Sequence, residues 1–396
     1  MITDRQLFLQ HLAPTSDAPL ALEIKKAKGI YLFDAQQKKY MDLISGISVS
    51  NIGHLHPKVV NAVKKQLDKY MHLMVYGEYI QSPQVQLAKK ISDVLPKNLS
   101  CCYFVNSGSE AVEGALKLAK RYTNRSEIIS FKNAYHGSSQ GAMSVMGNEE
   151  MKNAYRPLLP NIRFLEINNL SQLEFITKKT ACVIIEPIQG EAGVIESKKN
   201  FLKALRKKCS ETETLLIFDE IQTGFGRTGI MFAFQHVNII PDIILLGKAM
   251  GGGIPIGAFV SSKKIMKTLS ENPVLGHITT FGGHPVSCAA ALANLEVITS
   301  QKNNFDVLKK EKLFRTYLKH SAIKSIRGKG LLLAIEFDSF EINKKIIDRC
   351  IKNGIITDWF LFCPEAMRIA PPLIITEKEI KLACKIIMES IAYFFD

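Results

Sequence analysis

A chain of 396 residues can bury a core under two lobes, and 46% hydrophobic with 22% charged residues is the composition of an ordinary globular protein. No apolar run approaches the ~20 residues that span a bilayer, which excludes a helical membrane protein. The formal charge of +14 is carried by lysines spread along amphipathic stretches such as 59–69 and 202–208, so it describes solvated helix faces rather than a nucleic-acid or membrane footprint.

The N-terminus, Met1-Ile2-Thr3-Asp4-Arg5, lacks the charged-then-apolar layout of a signal peptide. Eight cysteines without paired metal spacing, two of them adjacent at Cys101 and Cys102, outline no disulfide framework. A reducing, cytoplasmic setting is expected. Residues 1–45 are expected to pack beside a small C-terminal domain, 286–396, with 46–285 forming a large domain. His54-Leu55-His56 has the spacing of a ligand pair, but nothing further completes a metal site, so these histidines are assigned to the turn ahead of Pro57.

Short β-branched runs at Cys101–Val105, Glu127–Phe131, 181–186, Leu215–Asp219 and Ile243–Leu246 read as buried strands, with helical patterns such as 110–122 and 201–209 between them. That alternation predicts an α/β fold with a mostly parallel sheet covered by helices on both faces. Ligands then sit outside the carboxyl ends of the strands, which directs attention to the residues just beyond each strand.

The first strand is followed by Asn106-Ser107-Gly108-Ser109-Glu110, small residues that let backbone N–H groups meet an anion at a helix N-terminus; an ordinary cap by Ser107 or Ser109 explains them equally. The second leads to Tyr135-His136-Gly137, an aromatic placed to stack on a flat ring or simply to pack. The third ends near Glu186 and Glu191, two acids for which a solvated rim is the default. The fourth closes on Asp219-Glu220-Ile221-Gln222, and an Asp closing an apolar strand asks for a positive partner. The fifth delivers Lys248 and then Gly251-Gly252-Gly253. Burial lowers the pKa of such a lysine and makes it a competent Schiff-base amine. Gly224-Phe225-Gly226-Arg227-Thr228-Gly229 fits a dinucleotide pattern, yet no acidic residue closes a second strand about 20 positions on, so that reading is set aside. Beyond Pro285 the pattern changes to a helix over 286–299, a strand over 330–337, a helix over 341–353 and a last helix from Thr376, a smaller α+β lobe.

The stretches 186–194, 218–229, 246–253, 280–290 and 367–376 occur together in one family's order. From about Tyr31 to its end the chain resembles the class III aminotransferases, within the fold-type I pyridoxal-phosphate enzymes. The resemblance implies a large domain built on a mostly parallel seven-stranded sheet, a smaller α+β C-terminal domain, pyridoxal 5'-phosphate as cofactor, and a homodimer with active sites at the interface. It implies that Lys248 carries the cofactor as a Schiff base and moves the substrate proton. Asp219 then pairs with the pyridinium nitrogen and keeps the ring an electron sink, Gln222 bonds the ring hydroxyl, and Tyr135 stacks on the ring. Gly108 and Ser109 cradle the phosphate, and Thr280 reaches the phosphate of the neighbouring subunit. Arg368 matches the family's carboxylate-binding arginine, whose fork suits a carboxylate bidentately, with a structural ion pair as the plainer reading. Glu191 matches the gate that pairs with Arg368 when the substrate amine has no neighbouring carboxylate. Ile47 falls at a substrate-pocket position where ornithine δ-aminotransferases typically carry Tyr.

There are departures. Ser138 stands where many members grip the distal carboxylate of 2-oxoglutarate with arginine, and His284 stands where Asn is usual. Trp359-Phe360-Leu361-Phe362 is an unusually apolar approach that suits either a pocket wall or core packing. The expected activity is transfer of an amino group from an ω-amine or (acyl)ornithine donor to a 2-oxo acid by a ping-pong cycle, acetylornithine-type transamination first. The expected partners are small-molecule amines and 2-oxo acids, with no nucleic acid and no membrane. A same-fold aminomutase, decarboxylase or racemase is the alternative, and a non-catalytic basic binding protein a remote one.

Overall fold

The computed structural model describes residues 2–301 and 305–395. Three N-terminal strands, β1 (Ile24–Lys28), β2 (Tyr31–Asp34) and β3 (Lys39–Asp42), precede β4 (Cys101–Val105), β5 (Glu127–Phe131), β6 (Ile162–Leu165) and β7 (Thr180–Ile185). A short hairpin of β8 (Ile188–Gln189) and β9 (Ile195–Glu196) follows, then β10 (Leu215–Asp219), β11 (Ile243–Leu246) and β12 (Gly257–Ser261). Seven of these form one sheet in the order β4-β12-β11-β10-β7-β5-β6. The run from β11 to β6 is parallel. Only β12 opposes its neighbours β4 and β11.

Every residue of β7, β10 and β11 is buried, which is why these strands are unbroken branched runs rather than alternating ones. The two faces separate by parity. Leu216 and Phe218 of β10 pack in one cluster with Phe201, Leu202 and Leu205 of the helix Lys199–Glu211. Leu215 and Ile217 pack in another with Ala111, Ala115 and Leu118 of the helix Gly108–Thr123. The expected helices are therefore present on opposite faces, each beginning two residues before its apolar pattern does. The expected strand 181–186 ends at Ile185, so Glu186 lies beyond it.

The C-terminal strands are β13 (Ser325–Gly328), β14 (Leu333–Glu336), β15 (Ile355–Ile356), β16 (Trp359–Phe360) and β17 (Cys363–Ile369). Four make an antiparallel sheet, β13-β14-β17-β16, while β15 joins β1–β3 through a parallel pairing with β3. The helices Phe340–Lys352 and Glu377–Phe395 complete this smaller part. Arg227, fully buried, stitches the parts together: Nη1 donates to the carbonyls of Leu331 at 2.8 Å and Pro371 at 2.5 Å, and Nη2 donates to Asn51 Oδ1. The glycine pattern around it is a tight structural turn, with Gly226 at φ +88° and Gly229 at φ +96°.

Candidate active site

The carboxyl ends of β4, β5, β7, β10 and β11 open on one cavity of about 170 Å³. From β11 comes Lys248, whose backbone sits at φ +45°, with Gly252 and Gly253 at +60° and +107°. A non-glycine residue held in the left-handed region costs of order 1 kcal/mol, which the surrounding packing must impose. Its amine makes no hydrogen bond or ion pair among the described residues and lines the cavity. Burial lowers its pKa, and Arg368 adds to that effect against the opposing pull of Glu191 and Asp219.

β10 delivers Asp219, buried, with Oδ1 accepting from Ile221 N at 3.0 Å and Oδ2 lying 2.8 Å from His136 Nδ1. The partner that a strand-closing Asp requires is thus an imidazole from the loop after β5. With Nδ1 as donor, the other ring nitrogen, Nε2, is buried with no partner among the described residues. The same loop places Tyr135 on the cavity wall, its N donating to Glu186 Oε1 at 2.9 Å and its hydroxyl 3.3 Å from Ser138 Oγ. Gly137 sits at φ +123°, and a Cβ there would come within 2.1 Å of Ser109 Oγ, so only glycine lets this loop close on the helix N-terminus. That terminus is capped by Ser107, whose Oγ accepts from Glu110 N at 3.2 Å. The N–H groups of Gly108 and Ser109, first in the helix, have no helical acceptor, and both residues line the cavity.

The acids after β7 are not a solvated rim, because the turn folds back into the protein. Glu186 is 6% exposed and accepts from Tyr135 N and Gly190 N, and burial pushes its carboxyl up to about 7. Glu191 is 5% exposed and forks onto Arg368, Oε1 to Nη1 and Oε2 to Nη2, both at 2.9 Å. Leu361 N donates to Oε2 at 3.1 Å and Gln222 Nε2 to Oε1 at 3.3 Å. Burial opposes ionisation of Glu191, but the Arg368 charge outweighs it and holds the carboxyl at about 2. Arg368, from β17, also donates through Nε to Asp358 Oδ1 at 2.9 Å and lies 4.4 Å over the Phe360 ring. Burial works against its charge, and the two carboxylates overcome that and raise its pKa.

Lys248, Asp219, Tyr135, Gln222, Glu191, Gly108 and Ser109 therefore meet in one place, with Arg368 directly behind Glu191. Two expected residues lie elsewhere. Thr280 is in an exposed segment and does not line this cavity, and Ile47 is half-buried in a left-handed turn at φ +63°. Ser138 is exposed. His284 stacks on His72 at 5.5 Å and accepts from Val286 N at 3.3 Å, capping the helix Pro285–Gln301. The apolar stretch 359–362 divides: Phe360 is core, Trp359 packs edge-on against Phe340, and Phe362 reaches within 6.3 Å of the Tyr135 ring. His136 and Asp358 were not anticipated. The signal for Asp358 was a lone charge in an otherwise apolar stretch.

The family profile for aminotransferase class III matches residues 12–391. The chain belongs to the class III aminotransferases, enzymes of fold-type I that depend on pyridoxal phosphate. It is 40% identical to an acetylornithine aminotransferase of Methanocaldococcus jannaschii over 91% of each chain. It is 37% identical to an acetylornithine aminotransferase of Caldanaerobacter subterraneus subsp. tengcongensis over 91% of this chain and 92% of that one. Among solved structures, the ornithine aminotransferase of Toxoplasma gondii superposes with a TM-score of 0.90 at 31% identity, covering 99% of this chain and 95% of that one. Pyridoxal phosphate partly occupies the active site of that structure.

Proposed function

We propose that this aminotransferase takes its amino group from an acylated ornithine, acetylornithine first, and passes it to a 2-oxo acid, working as a homodimer with the cavity described above as its active site. The observation that carries the reading is an arginine fork already filled by Glu191, a carboxylate of the cavity wall, in a cavity that also holds a half-buried lysine unpaired among the described residues. An amine remote from its carboxylate enters with Glu191 on the fork, while a 2-amino or 2-oxo acid brings its own carboxylate and displaces it. The acetylornithine aminotransferases at 37–40% identity support this choice of donor.

The residues fit pyridoxal phosphate. The unhindered N–H groups of Gly108 and Ser109 suit its phosphate, the close approach at Gly137 shapes the cradle, and the unpaired Lys248 amine suits its aldehyde. When bound, the cofactor takes up the amino group and spreads negative charge from the reacting carbon into its ring. Lys248 would hold it through Nζ, and the same nitrogen, its pKa lowered by burial, would serve as the base for the proton on the donor's amine-bearing carbon. Asp219 would keep a proton on the ring nitrogen, and His136, 2.8 Å away through Nδ1, fixes the carboxylate that would do so. Gln222 would meet the ring hydroxyl and Tyr135 would cover one ring face, both from the cavity lining, while Ile47 would border the substrate only from outside that lining. Thr280, exposed in its own chain, reaches the phosphate held by the other subunit.

The test is to mix holoenzyme with single donors and follow the visible spectrum of the bound cofactor. The panel is acetylornithine, succinylornithine, ornithine, 4-aminobutyrate, lysine, a hydrophobic monoamine and glutamate. Acetylornithine is expected to convert the cofactor to its amino form fastest. Conversion by 4-aminobutyrate or the monoamine, with acetylornithine inert, overturns the donor assignment. Because Ser138 supplies no cation, 2-oxoglutarate is tested beside shorter and apolar 2-oxo acids in the return half-reaction.

A further inference from the structure

Arg368 is held by two acids, and the gate accounts for only one. Asp358 lies beside Arg368 through backbone pairing: Arg368 N donates to Asp358 O at 2.9 Å, and Thr357 Oγ1 donates to Arg368 O at 2.6 Å. The two acids use different edges of the guanidinium. Glu191 covers Nη1 and Nη2, the fork a substrate carboxylate needs. Asp358 covers Nε, which a forked carboxylate on Nη1 and Nη2 leaves alone. They are also anchored differently, Glu191 in the turn of the β8–β9 hairpin and Asp358 next to β16 in the same antiparallel layer as Arg368. The arginine plane rests on Phe360, and Nη2 also donates to Trp359 O at 3.2 Å.

We propose that Asp358 is the permanent counter-ion of Arg368 and sets how tightly the enzyme holds an α-carboxylate. It stays on Nε when Glu191 leaves the fork, so an incoming carboxylate meets a guanidinium already half-neutralised and correctly turned. A lone buried guanidinium binds a carboxylate strongly and releases it slowly; a second fixed negative charge a few ångströms behind it weakens both substrate and product binding. Burial makes Asp358 costly to ionise, pushing its carboxyl up to about 6 against the pull of Arg368. The fold thus keeps a disfavoured charge at this position. The proposal rests on the reading of Arg368 as the carboxylate-binding residue.

Asp358→Asn keeps an oxygen acceptor for Nε and the side-chain volume but removes the charge. The readout is the ratio of KM for the α-carboxylate substrate, glutamate or its 2-oxo acid, to KM for the preferred ω-amine donor, which binds with Glu191 still on the fork. That ratio is expected to fall about tenfold, with kcat of the overall cycle falling as release slows. Cofactor occupancy is checked from the visible band before each measurement. An unchanged ratio overturns the proposal, as does a rise in both KM values together, which is what a merely structural role produces. Arg368→Lys is measured in parallel. If that variant leaves the glutamate KM unchanged, the carboxylate reading itself fails; if it raises that KM while Asp358→Asn changes nothing, only the role of Asp358 fails.

Discussion

Lys248 and Asp219 reach the cavity from neighbouring strands, β11 and β10, whose parallel register sets Asp219 opposite Leu245. The lysine is thereby delivered at the strand end with a strained backbone and an amine that finds no hydrogen-bond or ion-pair partner among the described residues. A group placed at such cost and left unpaired is available for chemistry rather than for stability. Lys248→Ala is expected to lower turnover at least about a thousandfold, since both covalent attachment and the proton-moving base are lost. The cofactor should also wash out on desalting, read from the visible band and from the absence of a borohydride-fixed mass increment. Retention of near wild-type turnover is incompatible with the assignment.

At the scale of elements, the turn linking β16 to β17 has two faces. Phe360 is fully buried beneath Arg368, whereas Phe362 stands half-buried with its ring 6.3 Å from that of Tyr135, a residue of the cavity wall. Phe360→Ala should therefore cost about 3–5 kcal/mol of stability, measured by chemical denaturation. Phe362→Ala should leave the unfolding midpoint nearly in place and raise KM for the donor several-fold, a loss on the order of 1 kcal/mol of apolar contact. The reverse pattern would refute the division. The elements nearest the site were also the most legible in sequence. β4, β5, β10 and β11 have the ends their apolar runs indicated, most plainly β10 and β11, which are buried throughout and so are nearly continuous apolar runs. β12, Gly257-Ala258-Phe259-Val260-Ser261, escaped notice because its small end residues break that run, and β6 because Arg163 interrupts it at the sheet edge. Lys248 and Asp219 were legible for the same reason, as charged residues closing apolar strands. The pairing of His136 with Asp219 and of Glu191 with Arg368 was not legible from composition or period, because the partners are 83 and 177 residues apart and only the folded sheet brings them together.

At the scale of the molecule, two segments each expose several large apolar side chains, the kind of surface that marks an interaction site when it is contiguous. Met71, Tyr79 and Ile80 lie in one, and Val274, Ile278 and Phe281 in the other, with His72 packed 4.9 Å from Phe281 joining them. Thr280 sits within the second segment, so the surface on which the proposed second copy would sit also bears the residue proposed to complete that copy's phosphate site. Ile278→Asp is expected to shift the protein to a monomer in sedimentation experiments and to weaken cofactor retention. A monomeric variant with full activity and a normal cofactor band would argue that the cavity is complete within one chain.

The forked contact between Glu191 and Arg368 bears on what the cleft keeps out. A bare guanidinium in a low-dielectric cleft would collect whichever small anion the surrounding solution offers. A carboxylate tethered on the same fork is a resident competitor, present at an effective concentration that free acetate, chloride or phosphate cannot match. Only a molecule that gains additional anchorage in the cavity can dislodge it. Glu191 on the fork, with Asp358 behind it on Nε, would then filter out ambient ions, and the enzyme's tolerance of salt should fall when Glu191 is removed.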